Sequence, residues 1–252
     1  MRVLIISDIH ANIHALDACA EGFPAFDVVW NLGDVVGYGA NPNEVIARSC
    51  ELGKIFVRGN HDKACSGVSD LTGFNPVAAL AAIWTQKNLT PANLEWLKSL
   101  PKGPIKPDEE LDLACVHGSP LDEDEYIINV HDATGPLLHS VATCTFFGHT
   151  HLQGGFLMKE AGEIHQIRPA FRDPRHPQRI EFRLEKGITY MINPGSIGQP
   201  RDGDPRSGFV LYDTDDNLVI FYRVPYNIKA AQKDILDAGL PPRLADRLAD
   251  GR

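Results

Sequence analysis

Residues 146–151 read Phe146-Phe147-Gly148-His149-Thr150-His151. Two aromatics run into a glycine, and then come two histidines separated by one threonine. In an extended segment residues i and i+2 project to the same side. Both imidazoles would therefore leave the end of an apolar run together, as metal ligands do. One such pair among ten histidines is weak evidence alone. Its weight depends on what stands at the ends of the other apolar runs.

The run at 3–6 is an unbroken Val-Leu-Ile-Ile, the pattern of a strand buried on both faces. It ends in Ser7-Asp8-Ile9-His10, again an i, i+2 pair of possible ligands. Further strands are predicted at 27–32, 54–57, 111–116 and 143–147. Helices are predicted at 12–20, at 42–52 with proline near the start, at 76–87, and from a Thr90 cap onward. The strands end in Gly33-Asp34, Gly59-Asn60-His61-Asp62, His117-Gly118 and the opening motif. In open α/β sheets ligands bind beyond the carboxyl ends of strands, and glycine beside four of the clusters permits tight turns there. After His151 the pattern changes to strands at 180–184, 188–192, 209–212 and 218–224, joined by turns. A helical tail at 228–252 follows, interrupted at 239–242. With no repeat and no linker, residues 1–252 read as a single α/β domain with two sheets and that tail.

Carboxylates, an amide oxygen and imidazoles, with no thiolate, suit divalent ions of intermediate hardness: Mn²⁺, Fe²⁺ or Zn²⁺. Seven candidate ligands at these strand ends are too many for one catalytic ion. They suit two ions that share a carboxylate. Two ions ~3.5–4 Å apart can clamp both the attacking and the leaving oxygen of a phosphoryl displacement.

DIH, GD, GNHD, VHG and GHTH, in that order between residues 8 and 151, resemble the motifs of the calcineurin-like metallophosphoesterases. GDVVGYGANPNEV and NPGSIGQPRDGDPR resemble a bacterial and archaeal subgroup of small phosphoesterases. The resemblance implies a four-layer αββα sandwich, two mixed β-sheets flanked by helices. It implies a first metal site of Asp8, His10, Asp34 and His151, and a second of Asp34, Asn60, His117 and His149, with Asp34 bridging. It places His61 over the phosphate as general acid, opposite in-line attack by a metal-bridging hydroxide. The activity implied is hydrolysis of phosphate esters, phosphodiesters first. Dinucleoside polyphosphates and phosphomonoesters are the alternatives, and a non-catalytic scaffold on the same fold is the alternative of another class. There is one departure. Protein phosphatases of this family carry GDxxDRG, whereas this chain has Gly37 at the second aspartate, the residue that orients the catalytic histidine there. His61 then needs another orienting group, and Asp62 is the adjacent candidate.

A formal charge of −9 over 252 residues argues against general attraction to nucleic acid or to an anionic membrane. No stretch reaches transmembrane length, and the expected location is cytoplasmic. The expected partner is a phosphate ester, nucleotides included. The stripe Leu236, Leu240, Leu244, Leu248 fits core or subunit packing, which leaves a homo-oligomer open. Five cysteines without a CxxC pair read as buried reduced thiols. Arg201 is a candidate for binding phosphate oxygens, whereas the arginine-rich stretch at 168–186 reads as a solvated hairpin. His14 is expected at the pocket rim or on the helix surface; His131, His139, His165 and His176 match no motif.

Overall fold

A computed structural model of the chain describes residues 1–173 and 175–252. Pro174, inside the arginine-rich stretch, lies outside the described residues. Chain order begins β1 (Arg2–Ile6), α1 (Ile13–Gly22), β2 (Val28–Asn31), α2 (Pro42–Leu52), β3 (Ile55–Phe56), α3 (Asn60–Ser66), α4 (Pro76–Asn88) and α5 (Pro91–Ser99). It continues with β4 (Leu113–Cys115), α6 (Val130–Leu138), β5 (Cys144–Phe146), β6 (Gly154–Lys159) and β7 (Ile164–Ile167). The last elements are β8 (Gln178–Arg183), β9 (Ile188–Asn193), β10 (Ser207–Asp213), β11 (Leu218–Val224), α7 (Ile228–Asp237) and α8 (Pro242–Asp250).

Two mixed sheets result, with strand orders β3-β2-β1-β10-β11-β8 and β4-β5-β9-β6-β7. The pairs β1–β2, β2–β3, β4–β5 and β5–β9 are parallel and the others antiparallel. The alternation along β1 shows how the layers stack. Val3 and Ile5 join Trp30, Phe146, Tyr190 and Phe221 in a core between the sheets. Leu4 and Ile6 point the other way, onto Leu16, Cys19, Val45 and Cys65 of α1, α2 and α3. Both faces of the strand are buried, which is why its sequence shows no polar alternation. Beyond the second sheet, Ala133 and Leu137 of α6 cover Phe147, Phe156 and Met191. The order helices, sheet, sheet, helix is the αββα sandwich expected.

Several elements differ from the sequence reading. The strand expected at 54–57 shrinks to two residues, because Arg58 already turns to donate its amide to the Pro101 carbonyl. Strands β6 and β7 and helices α3 and α6 had no predicted counterpart. In the leucine stripe, Leu240, Leu244 and Leu248 are buried and Leu236 is 52% exposed, so the first member faces solvent. All five cysteines are free thiols, four of them buried and Cys50 half-buried. Thr90 caps α5 by accepting from the Asn93 amide.

Candidate metal centre

The carboxyl ends of five strands, three from the first sheet and two from the second, meet at one edge of the sandwich. Their loops are tied to one another by backbone hydrogen bonds. The amides of Asp8, His10 and Ala11 donate to the carbonyls of Gly33, Asp34 and Val35 at 2.9–3.0 Å. The turn after β9 closes over them, with Ile197 and Gly198 amides on the Ser7 and Asp8 carbonyls and the Ser196 hydroxyl also on Asp8 at 2.7 Å. Asn193, fully buried, donates to the Gly148 carbonyl and to Thr150. The backbone here is strained. Asp8, His10, Ala11, Asp34, Tyr38, His149 and His151 all have φ between 49° and 66°, a region that non-glycine residues adopt only at a cost. Five of these seven are predicted ligands. Gly59 cannot carry a side chain, because a Cβ there would run into the Asp34 carboxylate and amide.

Two groups of donor atoms result. Asp8, His10, Asp34 and His151 form one, and Asp34, His117 and His149 the other, with every member buried. Asn60 adds its amide oxygen to the second, 3.3 Å from His117 Nε2. Asp34 belongs to both. Its Oδ1 accepts the His61 amide at 2.8 Å. Its Oδ2 stands 3.5 Å from His10 Nε2 and 3.4 Å from His117 Nε2. All seven predicted ligands are therefore brought together, in the grouping the resemblance implies.

The hydrogen bonds around the histidines test whether this donor set fits cations. Nδ1 of His10, His117 and His151 lies 3.2, 2.8 and 2.5 Å from the carbonyls of Val36, Leu32 and Gln199. For His149 the nitrogen held this way is Nε2, 3.0 Å from the Asp124 carbonyl. A carbonyl only accepts, so each of these nitrogens carries the hydrogen. The other nitrogen of each ring then faces the centre, as a bare lone pair wherever the ring is neutral. Two pairs of these nitrogens face each other at 3.1 Å, His10 Nε2 with His151 Nε2 and His117 Nε2 with His149 Nδ1. Nitrogens opposed at this distance need positive charge between them, a shared proton or a cation, and the Asp34 carboxylate favours that charge at His117. Two nitrogen ligands, each about 2.1 Å from one ion, would stand roughly 3.0–3.4 Å apart, and these separations fall within that range. Asp8 Oδ1 adds a buried carboxylate oxygen with no hydrogen-bond partner. The residues fit divalent cations.

The electrostatics agree. Burial disfavours a charged His117, yet the adjacent Asp34 carboxylate overrides it and pushes the ring up to about 10. Burial, together with His117, pulls His149 down to about 3. His10 is held well below its ordinary value by burial, against the attraction of Asp34. Asp34 stays well below the usual carboxylate range; burial opposes this, and His117 and His61 outweigh it. The centre favours positive charge between its carboxylates and disfavours it on most of its rings, as a cation-binding site does.

His61 lies beside both groups but contributes no ring nitrogen to either. Its Nδ1 is buried without a partner, facing Gly37, where an added Cβ would approach to 2.5 Å. Asp62 does not orient it. That carboxylate is taken by the amides of Asp34, Val36 and Gly59 at 2.8–3.2 Å, and burial with the Asp34 charge raises it to about 7. The His61 ring is instead wedged among Tyr38 (4.2 Å between centroids), His10 (4.9 Å) and Phe74 (4.9 Å). A cavity of about 260 Å³ opens over it, lined by Asn60, Phe74, Asp124, Tyr126 and His149 among others. Burial lowers the ring to about 4, against the pull of Asp34.

Arg201 reaches the centre's rim. It donates to the Gln199 side chain at 3.0 Å, and its Nε is buried without a partner. His14 does not approach the metal groups; it pairs with Asp234 of α7 at 2.8 Å. His131, His139, His165 and His176 are exposed. The sequence reading missed Tyr38, Phe74 and Tyr126, and the carbonyl-supplying Gln199 and Asp124. Tyr38 sits inside the quoted GDVVGYG stretch, but nothing in its spacing marks it as the wall of His61.

The family model for the calcineurin-like phosphoesterase superfamily domain matches residues 1–217. The uncharacterized protein MJ0912 of Methanocaldococcus jannaschii is 33% identical, over 99% of this chain and 98% of its own. A metallophosphoesterase from Sphaerobacter thermophilus superimposes with a TM-score of 0.84 at 39% identity, over 100% of this chain and 99% of that one. The hypothetical protein PH1004 of Pyrococcus horikoshii shares the fold, with a TM-score of 0.78 at 19% identity and coverage of 100% and 98%. No helix among the described residues is long and apolar enough to cross a membrane.

Proposed function

The chain belongs to the calcineurin-like phosphoesterase superfamily, and on that premise we propose that it is a two-metal phosphoester hydrolase that prefers phosphodiesters. The observation that carries this reading is the two pairs of converging imidazole nitrogens flanking the shared Asp34 Oδ2. Asp8, His10, Asp34 and His151 would hold one ion, and Asp34, Asn60, His117 and His149 the other. When bound, such ions neutralise charge on the phosphoryl oxygens and acidify water.

The remaining work falls to the chain's own groups. The carbonyls of Leu32, Val36, Asp124 and Gln199 fix the four ligating tautomers, so no ring has to reorient during turnover. Arg201, half-buried at the rim, would bind a phosphate oxygen. His61 would donate a proton from Nε2, the ring nitrogen left open to the cavity. With its value near 4 the ring is neutral at pH 7. A phosphate anion beside it acts in the opposite direction and favours the imidazolium, so the proton would be gained with the substrate. Without a carboxylate partner on Nδ1, the ring depends on Tyr38 and Phe74 for its aim.

The test is a panel of mono-, di- and polyphosphate esters assayed after metal stripping and re-addition of Mn²⁺, Fe²⁺ or Zn²⁺. Metal-dependent turnover with diesters fastest is expected. Faster monoester or polyphosphate turnover would correct the substrate class, and no turnover with any ester would favour the scaffold.

A further inference from the structure

Resting on that reading, we infer that the chain carries a second anion subsite, built by Arg247 and Arg243 of α8 beside Tyr38, which takes a distal phosphoryl group of the substrate. Tyr38 links the two places. Its ring lies 4.2 Å from His61 on the catalytic side. The guanidinium of Arg247 stands 5.9 Å from the same ring, and that of Arg201 5.7 Å. A cavity of about 710 Å³ opens on this side, lined by Tyr38, Asn75, Arg243 and Arg247, with Asp246 and Asp250 also on its wall. It shares Tyr38 and Asn75 with the cavity over His61, so the two cavities adjoin across the Tyr38 ring.

The two guanidiniums are poorly compensated. Among the described residues, Arg247 has a single hydrogen bond, from Nε to the Arg252 carbonyl, and its two terminal nitrogens have none. Among the described residues, the hydrogen bonds of Arg201 go to the neutral side chains of Gln199 and Tyr38, and its Nε has none. Burial and the nearby Arg201 charge both push Arg247 below its ordinary value, so two half-buried cations sit close enough to repel each other. Guanidinium groups with free nitrogens match phosphate oxygens bidentately, and an anion bound at Arg247 would relieve the repulsion. On the proposed reading, a single phosphate at the metal centre would already have the two ions and Arg201 to receive it. The Arg247 side is supernumerary for a simple monoester and suits a ligand with two phosphoryl groups. Residues 243 and 247 lie beyond the 1–217 segment that the family model matches.

The experiment measures binding rather than turnover. Methylphosphonate and methylenebisphosphonate, neither of them hydrolysable, are titrated calorimetrically into the protein with metal in excess of the probe. The bisphosphonate should bind wild type more tightly than the monophosphonate. Arg247→Ala should weaken the bisphosphonate about tenfold, as loss of one charge-assisted contact does, and leave the monophosphonate unchanged. Arg243→Ala should act in the same direction, and Arg247→Lys should recover part of the loss. Unchanged bisphosphonate binding in both alanine variants would overturn the subsite. Equal weakening of both probes would also overturn it, by placing Arg247 at the metal centre. Because the readout is affinity, an enzyme inactive on every ester would sink the hydrolase reading while leaving this result interpretable.

Discussion

At the scale of single residues, His61 is positioned by ring contacts and by a backbone tie to Asp34, with no carboxylate on its Nδ1. On the proposed reading, its role is separable from metal binding. Hydrolysing an alkyl or ribose ester expels a strongly basic alkoxide, and general acid catalysis there is typically worth ~10²–10⁴-fold. His61→Ala should lose a factor in that range on a nucleotide diester, much less on a p-nitrophenyl ester, and retain both metals by elemental analysis. Equal losses on the two esters would assign the ring to phosphate positioning, and a lost metal would make it a ligand. Asp34→Asn removes the carboxylate common to both groups. Several kcal/mol of metal-assisted stabilisation are then at stake, so activity should fall by more than about 10²-fold with both metals depleted. Retention of one full equivalent of metal at normal activity would refute the shared role. The convergence of all seven candidate ligands and His61 was legible in the sequence, because a candidate ligand's chemistry is in its side chain and its place follows from the strand end before it. Tyr38 and Phe74 were not legible. Their part depends on which way an aromatic leans across a gap that Gly37 leaves open, and no periodicity encodes that.

At the scale of elements, the site depends on strands that are very short. β5 has three residues, and it places His149 and His151 only because Phe146 is anchored between the sheets, edge-on to Trp30 at 6.1 Å and beside Tyr212 at 5.7 Å. Phe146→Ala should cost about 3–5 kcal/mol of stability in denaturant melts, with metal affinity falling as well, because the His149–His151 turn loses its footing. A loss below about 1 kcal/mol would show that the turn is held by Asn193 and the loops alone. The elements that sequence reading missed share a physical cause. Helix α6 contains Gly135 and Pro136, poor helix formers, and persists through an Asn129–Asp132 capping box and burial of Ala133 and Leu137. Strand β6 opens on Gly154 and Gly155 at φ of 139° and 149°, where close packing against the carbonyls of Ile167 and Met191 leaves no room for a side chain. Tertiary contacts decide both, and local propensity points away from them.

At the scale of the whole molecule, the first half of the chain was read nearly strand by strand, while the pairing order of the two sheets was not. Strands β8, β10 and β11 return to the sheet of β1, and β9 inserts beside β5. That sorting depends on which inward faces fill the shared core, a property of the assembled sandwich. The metal centre couples to this assembly. A ligand bound only by the folded state stabilises it by about 2.7 kcal/mol at a hundred times its dissociation constant. For a chain of this size, that corresponds to roughly 5 °C or more in Tm. Chelator treatment should lower the melting temperature by that much, and re-added metal should restore it; an unchanged melt would mean that the site is not loaded under those conditions.

Each ligand group mixes the two sheets. Asp8, His10, Asp34 and Asn60 follow strands of one, and His117, His149 and His151 follow strands of the other. An ion in either position is thus a clasp across the seam, and a clasp cannot close until both halves are in place. The consequence is one of timing. The ligands span residues 8 to 151, contacts of high sequence separation that form late. Added metal should therefore slow unfolding in a stopped-flow chevron and leave the refolding arm where it was. A metal-accelerated refolding arm would mean that the seam is joined before the barrier, with the centre acting as a seed of the fold rather than its last fastening.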